Sequence, residues 1–416
     1  IEFGRNKEKV YWNQKIKKNQ FLSFGKIISF TTNKLDKSII NLNIDKIIQN
    51  GIHINETKQK DIPFFIGGQN FNINKKNSGI WKDYHSANYK VPELLISKNN
   101  HITTITFFIL INNNQSFEPI YLEFSNYYNL IRDYTDDIKN SKIISKSKKI
   151  ETNKTKFTNQ VEKIKNMMHD EKVSKVVLSN IYRYTIKNNA SYSFLLQSLE
   201  DRYPECTIFY FDYLNNGKFL GASPELVLKN IDNHITIDAL AGSTDRGKKF
   251  SDQKKNEKKL YEDKKIENEH NIVIKGIQKS LSKINIKIEC GEKHILKLKN
   301  IQHLKTCVTA VKNDVKIMNI LDTLSPTPAL SGYPKDESME IIEQLEEFDR
   351  GWYSGVIGWI SNNLNSEFYA GLRSAYIKGD YIYIYAGAGI TIDSNPDDEW
   401  DEIINKMNTI DEIINE

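Results

Sequence analysis

The stretch Tyr381–Met407, YIYIYAGAGITIDSNPDDEWDEIINKM, sets a strand directly before a helix. Tyrosine and isoleucine alternate at its start, so Tyr381, Tyr383 and Tyr385 face one way and Ile382 and Ile384 the other. That period of two predicts a strand over Tyr381–Ile392. Gly387 and Gly389 interrupt it; glycine weakens a strand but lets backbone N–H groups approach an anionic ligand closely. Asn395 then reads as a helix N-cap with Pro396 at the first helical position, ahead of Trp400, Ile403, Ile404, Met407 and Ile410. Glu399, Glu402 and Lys406 share that helix at i, i+3 and i+7. An exposed Glu402–Lys406 pair would contribute ~0.3–0.5 kcal/mol. The alternative is that carboxylates of this helix and of a second one are aimed at one Mg²⁺, a cation that takes few protein carboxylates and keeps water or substrate oxygens.

Other charges upstream also stand where apolar residues are expected. Phe368–Ile377 reads as a strand containing Arg373, and an arginine in such a run usually pairs with a buried anion. Residues 257–284 read as one long helix with Leu260, Ile266, Val273, Ile277 and Leu281 on its apolar stripe and Glu269 at the stripe's edge. A carboxylate there is not expected to be buried without a partner. In Gly221–Glu225 (GASPE) the ordinary reading is a helix start, with Ser223 as cap and Pro224 at N1, yet a catalytic carboxyl at a turn would look the same. Lys175 opens the strand Lys175–Ile186 (KVVLSNIYRYTI). It is either a strand-end lysine reaching solvent or one desolvated enough to act as a base.

Residues up to about 135 carry short alternating runs such as Ile102–Ile111, with turn-like clusters at Gly67-Gly68 and Asn112–Asn114, and read as mostly strands with few helices. From about 138 to 156 the chain is rich in Lys, Ser and Asn, a solvated connection or helix start. This divides it into a β-rich N-terminal part, 1–150, and a catalytic part, 151–416, expected to form one compact unit.

Composition narrows the classes further. With 416 residues, 39% hydrophobic and 27% charged, the chain is neither fibrous nor disordered, and no apolar run approaches the roughly 20 residues of a membrane helix. Three cysteines suit no disulfide framework, and nothing at the start reads as a signal peptide; both point to the cytoplasm. The net charge of +5 does not indicate a nucleic-acid partner. Its lysines are dispersed among acids, and 45 asparagines beside them look like the codon bias of an AT-rich genome. Only seven of the 58 cations are arginine, so each surviving arginine is expected to need its bidentate fork. There is no GxxxxGK[ST], HExxH, CxxC or GxSxG.

Nine clusters in order resemble the chorismate-utilising enzymes, the anthranilate synthase component I-like family, and among them the isochorismate synthases. They are KVVLSN (175–180), FLGASPELVLK (219–229), IDALAGSTDRG (237–247), ENEHNIV (267–273), IQHLKT (301–306), LSPTPALSGYP (324–334), RGWYSGVIGW (350–359), LRSAYI (372–377) and YAGAGITIDSNPDDEWDEIINKM (385–407). The N-terminal part matches loosely, as at WKDYHSANYKVPELLI (81–96). The resemblance implies an α+β fold in which large, mainly antiparallel sheets pack together with helices outside and a deep cleft holds the site. It implies a monomer, with chorismate as substrate and Mg²⁺ as cofactor. The product would be isochorismate, which feeds menaquinone, siderophore or salicylate synthesis.

Residue by residue, the resemblance makes Lys175 the base that activates water for attack at C2 and Glu225 the acid that protonates the departing C4 hydroxyl. Glu269 and Glu402 would hold Mg²⁺, with Glu399 close by. Arg373, Lys406, Tyr353, Gly387 and Gly389 would receive the enolpyruvyl carboxylate, and Gly242, Ser243, His303 and Ala329 would line the ring pocket. Relatives that use ammonia typically carry Gln in place of Lys175, so amination is disfavoured. Salicylate synthases share the lysine and go on to eliminate pyruvate, which makes that reaction the alternative. Asn180, Ser325 and Ser243 depart from the family's usual Arg, His and Thr, and none of them removes a proposed catalytic group.

Overall fold

The computed structural model describes residues 6–32, 37–52, 61–111, 116–133, 153–186, 192–247 and 249–415. Two antiparallel sheets form its frame, one of ten strands and one of nine, with nine α-helices among the described residues. The ten-stranded sheet runs from Gly332–Tyr333 through Lys175–Thr185, Tyr381–Ile390, Ser374–Lys378, Lys218–Ser223 and Thr207–Asp212 to N-terminal strands ending at Ile102–Phe107. The nine-stranded sheet runs from Ile288–Lys297 through Ile301–Val311, His234–Asp245, Leu226–Ile231, Ser366–Ala370 and Val356–Ser361 to Pro63–Gln69, Ala87–Val91 and Ile28–Thr32. Each sheet therefore takes strands from both sides of the Lys/Ser/Asn-rich stretch, which lies outside the described residues as far as 152.

The main core is one continuous cluster of buried apolar side chains drawn from both sheets, with Leu260, Ile266 and Leu304 forming a small second one. Its centre is aromatic. Trp81 stacks on Tyr376 with ring centroids 3.9 Å apart, Trp352 meets Tyr84 and Phe211 edge-on, and Tyr385 stacks on Tyr353 at 4.9 Å. Trp81 Nε1 donates to the Tyr385 hydroxyl at 3.0 Å, so its one polar atom is satisfied inside the core.

Several elements differ from the expectations. Gly67-Gly68 is no turn but part of the buried strand Pro63–Gln69, where a Cβ on Gly67 would lie 1.9 Å from the Asn88 carbonyl oxygen. These glycines allow close strand approach. The long helix is two, Phe250–Glu262 and Lys264–Ser282, because Asp263 between them is extended and its carboxylate accepts from the N–H groups of Lys265 and Ile266 as an N-cap. The N-terminal half is mostly strands with few helices, as expected, and its helices among the described residues include Lys37–Asn50 and Phe117–Arg132. Asn112–Asn114 lies outside the described residues.

The largest correction concerns the two segments that carry Glu225 and Arg373. Ser223-Pro224-Glu225 starts no helix: strand Lys218–Ser223 belongs to one sheet and Leu226–Ile231 to the other, so Glu225 lies where the chain crosses between them. Phe368–Ile377 is likewise two strands, and Gly371–Arg373 makes the reverse crossing with Arg373 at φ +47°. The corners bond to each other, Ala222 N to Arg373 O and Ala370 N to Glu225 O, both at 3.1 Å.

Helix Lys335–Leu345 is fastened by a buried ion pair just beyond its end. Arg350 grips Glu346 with Nε at 2.8 Å and donates to the carbonyls of Leu330 and Val177, while Glu346 accepts from Ser179 N. Here the surviving arginine uses its whole fork, as its scarcity predicted. Arg350→Met leaves the Glu346 charge buried and unpaired, and should lower unfolding free energy in urea by about 3–5 kcal/mol. Adding Glu346→Gln should recover part of it, and a loss below about 1 kcal/mol would contradict the clamp.

Candidate active site

Beside the corners lies a cleft whose empty space, counting the open solvent at its mouth, is about 660 Å³. Its walls come from both sheets and from two helices. Helix Lys264–Ser282 packs on strand His234–Asp245 of one sheet, and helix Pro396–Ile414 packs on Tyr381–Ile390 of the other. Asn395 caps the second helix as expected, accepting from the N–H groups of Asp397 and Asp398. Lys175, Glu225, Gly242, Ser243, Glu269, His303, Ala329, Tyr353, Arg373, Gly387, Gly389, Glu402 and Lys406 all line this cavity. Glu399 does not; it is buried one turn along the last helix from Glu402.

Lys175 does not reach solvent. It is 1% exposed, and its Nζ lies 2.9 Å from Glu269 Oε1. Strand Tyr381–Ile390 runs beside it, and a Cβ on Gly389 would lie 2.5 Å from that Glu269 oxygen and 2.7 Å from Lys175 Cε. Gly389 is therefore required by contact, since any side chain would occupy the space of the ion pair. Gly387 has a similar constraint against Ser179 Oγ at 2.8 Å, and its carbonyl accepts from Lys406 Nζ, also at 2.8 Å. Lys406 pairs with Glu402 at 2.5 Å, so the i,i+4 pair exists but faces the cavity instead of bulk water.

Glu225 is 3% exposed, and its Oε1 accepts from the Thr327 hydroxyl at 3.3 Å. Burial, reinforced by the charge of Asp238, pushes its carboxyl up to about 8 despite Lys175 and Thr327. It is thus a protonated acid at neutral pH. Asp238 is itself paired with Lys305 at 2.7 Å. Across the cavity Arg373 donates to His303 Nε2 at 3.2 Å, and His303 Nδ1 lies 2.9 Å from Ser243 Oγ. A guanidinium only donates, so Nε2 must be the bare nitrogen and Nδ1 carries the proton toward Ser243. Burial, with Arg373 and Lys406 nearby, holds His303 well below its ordinary range and keeps it neutral.

At Glu402 burial acts upward, but Lys406, Lys265 and Arg373 outweigh it and hold the carboxyl below its ordinary range. Glu399 moves the opposite way, raised by burial and by the Glu402 charge against the pull of Lys265. The three carboxylates expected to hold a metal are each taken up by a lysine: Glu269 by Lys175, Glu402 by Lys406 and Glu399 by Lys265. Among the described residues no group of three or more His, Cys, Asp or Glu side chains is close enough to hold a metal ion.

Sequence reasoning missed Thr327, Asp238, Lys265 and His270. The first two sit inside quoted clusters and could have been flagged there as polar residues in apolar runs. His270, next to Glu269, is buried between Ala241 O and Thr306 Oγ1, fixing its helix to the sheet. Lys265 gave no signal among so many lysines.

The architecture is that of known chorismate enzymes. The structure of the menaquinone-specific isochorismate synthase MenF from Escherichia coli superposes with a TM-score of 0.81 at 22% identity, covering 98% of this chain and 88% of that one. Anthranilate synthase component I from Streptococcus pneumoniae superposes at 0.76 and 18% identity, covering 94% and 92%. The chorismate binding enzyme family matches over residues 2–415, and the chain belongs to that family. It is 27% identical over 347 residues to isochorismate synthase MenF of Bacillus subtilis, 82% of this chain and 72% of that protein. To isochorismate synthase MenF of Haemophilus influenzae it is 29% identical over 326 residues, 77% and 73%. No helix among the described residues is long and apolar enough to cross a membrane.

The Glu225 carboxyl has a pH consequence. Its folded value of about 8 lies above the ordinary carboxylate value of 4.5, so the native state holds an extra proton between the two. Stability from this group is complete below the ordinary value and is lost as pH rises through about 8. Urea midpoints at pH 5 and pH 9 should fall more for the wild type than for Glu225→Gln; equal falls would contradict the buried acid.

Proposed function

We propose that the protein converts chorismate to isochorismate, adding water at C2 as the C4 hydroxyl leaves. The observation that carries this reading is a buried lysine and a protonated buried glutamic acid, Lys175 and Glu225, on the walls of one cavity that also holds Arg373 and Lys406. The substrate is a dicarboxylate, and such a cavity suits it. Lys175 takes a proton from the attacking water, the ring double bonds shift, and Glu225 gives its proton to the departing C4 oxygen. One water enters and one leaves, after which Lys175 gives its extra proton to solvent and Glu225 takes one back. Arg373 and Lys406, with the backbone around Gly387 and Gly389, orient the enolpyruvyl carboxylate. Leu240, Ala329 and Leu330 cover the ring. A lysine rather than a glutamine at 175 supports water over ammonia as nucleophile.

The cofactor in this reading is Mg²⁺, held by Glu269 and Glu402 with Glu399 behind them. The fit rests on the donor set, all carboxylate oxygen, and on the mutual repulsion of Glu399 and Glu402, which a hard dication would relieve. When bound it would neutralise the ring carboxylate.

Incubation with chorismate and Mg²⁺, followed by chromatography, should yield isochorismate. Salicylate with pyruvate would favour the elimination reaction instead, and no conversion by folded protein would end the proposal. Lys175→Ala should lower kcat at least about 10²-fold while chorismate still binds. In the wild type kcat/KM should fall as pH rises through about 8, where Glu225 loses its proton.

A further inference from the structure

The two helices that bring carboxylates to the cavity are tied to each other by one ion pair. Lys265 Nζ, from the first turn of Lys264–Ser282, lies 2.7 Å from Glu399 Oε1 on Pro396–Ile414. Lys265 is four residues before Glu269 and Glu399 is three before Glu402, so the pair sits one turn along both helices from the proposed metal ligands. The Lys265 ammonium also feels the charges of Glu269 and Glu402. It stands among the three carboxylates with its strongest contact on one.

Glu269, Glu399 and Glu402 are matched by Lys175, Lys265 and Lys406, one lysine to each carboxylate at 2.9, 2.7 and 2.5 Å. Together they sum to zero. Adding a dication to a balanced, largely buried set leaves an excess of +2 unless a cation leaves or an anion enters. The side chains of Lys175 and Lys406 are 1% and 17% exposed, and Lys406 is held again by Gly387 O. Lys265 is 29% exposed, the most of the three. It is the lysine that can move to solvent at least cost.

We propose that Lys265 is a tethered counter-ion: its ammonium occupies the cation cradle between the two helices and must release Glu399 before a divalent cation is held there. This rests on the reading of Glu269 and Glu402 as metal ligands. The residue weakens metal binding in the substrate-free protein, and by linkage it makes metal uptake depend on the arrival of a dianionic substrate, which offsets the excess charge.

The test is calorimetric titration of MgCl₂ into the substrate-free protein. Lys265→Met should bind Mg²⁺ at least about tenfold more tightly than wild type, equivalent to about 1.4 kcal/mol, and Lys265→Arg should stay near wild type. An unchanged or weaker Kd in Lys265→Met, or equal tightening in Lys265→Arg, would overturn the proposal. A measurement on the wild type is independent of how the variants fold. In trace acetylation read by mass spectrometry, saturating Mg²⁺ should raise the labelling of Lys265 severalfold, and unchanged labelling would overturn it. Titration in the presence of chorismate separates the two readings. If wild type then binds Mg²⁺ but Lys265→Met shows no tightening without substrate, only the tethered counter-ion fails. If no Mg²⁺ binds in any condition, the metal reading and this one fail together.

Discussion

The pair of backbone hydrogen bonds between the two corners, Ala222 N to Arg373 O and Ala370 N to Glu225 O, holds the active-site region together. Here the chain passes from the ten-stranded sheet to the nine-stranded one and a second segment passes back, as residues 24–28 and 91–94 do in the N-terminal half. An acid on one crossing and a guanidinium on the other are therefore set by main-chain geometry rather than by flexible side chains. Arg373 adopts a left-handed backbone to make its turn, a conformation a non-glycine residue keeps only when its surroundings impose it. Beside the corners lies the cavity, walled by residues of both sheets.

In and just beside that space the fold places a balanced set of charges. Taking ions out of water costs several kcal/mol each, and a buried pair only roughly offsets it. Three carboxylates and three lysines interleaved in pairs are thus weak contributors to stability; their value is chemical. Each pair can be opened by a ligand of the right sign, and Glu225 is kept out of the exchange because burial leaves it protonated. Arg350 and Glu346 show the contrasting use of charge, a closed clamp on the loop and strand that form one wall.

What could be read in the sequence was whatever is decided locally. Asn395 and Pro396 announce their helix because capping involves only the next few residues, and the tyrosine–isoleucine alternation announces its strand for the same reason. Lys175, Arg373 and Glu269 stood out as charges in apolar runs, and the cavity brings them together. The break at Asp263 was hidden because the apolar spacing continues across it while a side-chain cap restarts the helix. Gly67-Gly68 was misread since a glycine pair signals a turn locally, whereas the approach of the Asn88 backbone, which requires it, is a tertiary contact. The crossings at Glu225 and Arg373 were invisible for a similar reason: sheet membership is decided by tertiary pairing, not by the local alternation. Lys265 could not be distinguished from the other lysines until Glu399, far away in sequence, was seen beside it.

In the proposed reaction water, activated at Lys175, attacks the ring while a different oxygen departs under Glu225. Turnover of chorismate in ¹⁸O-labelled water examines this directly. Isochorismate should carry one solvent-derived ¹⁸O at C2 and none at its carboxylates. Isochorismate formed without label, its hydroxyl moved from C4 within the molecule, would contradict it.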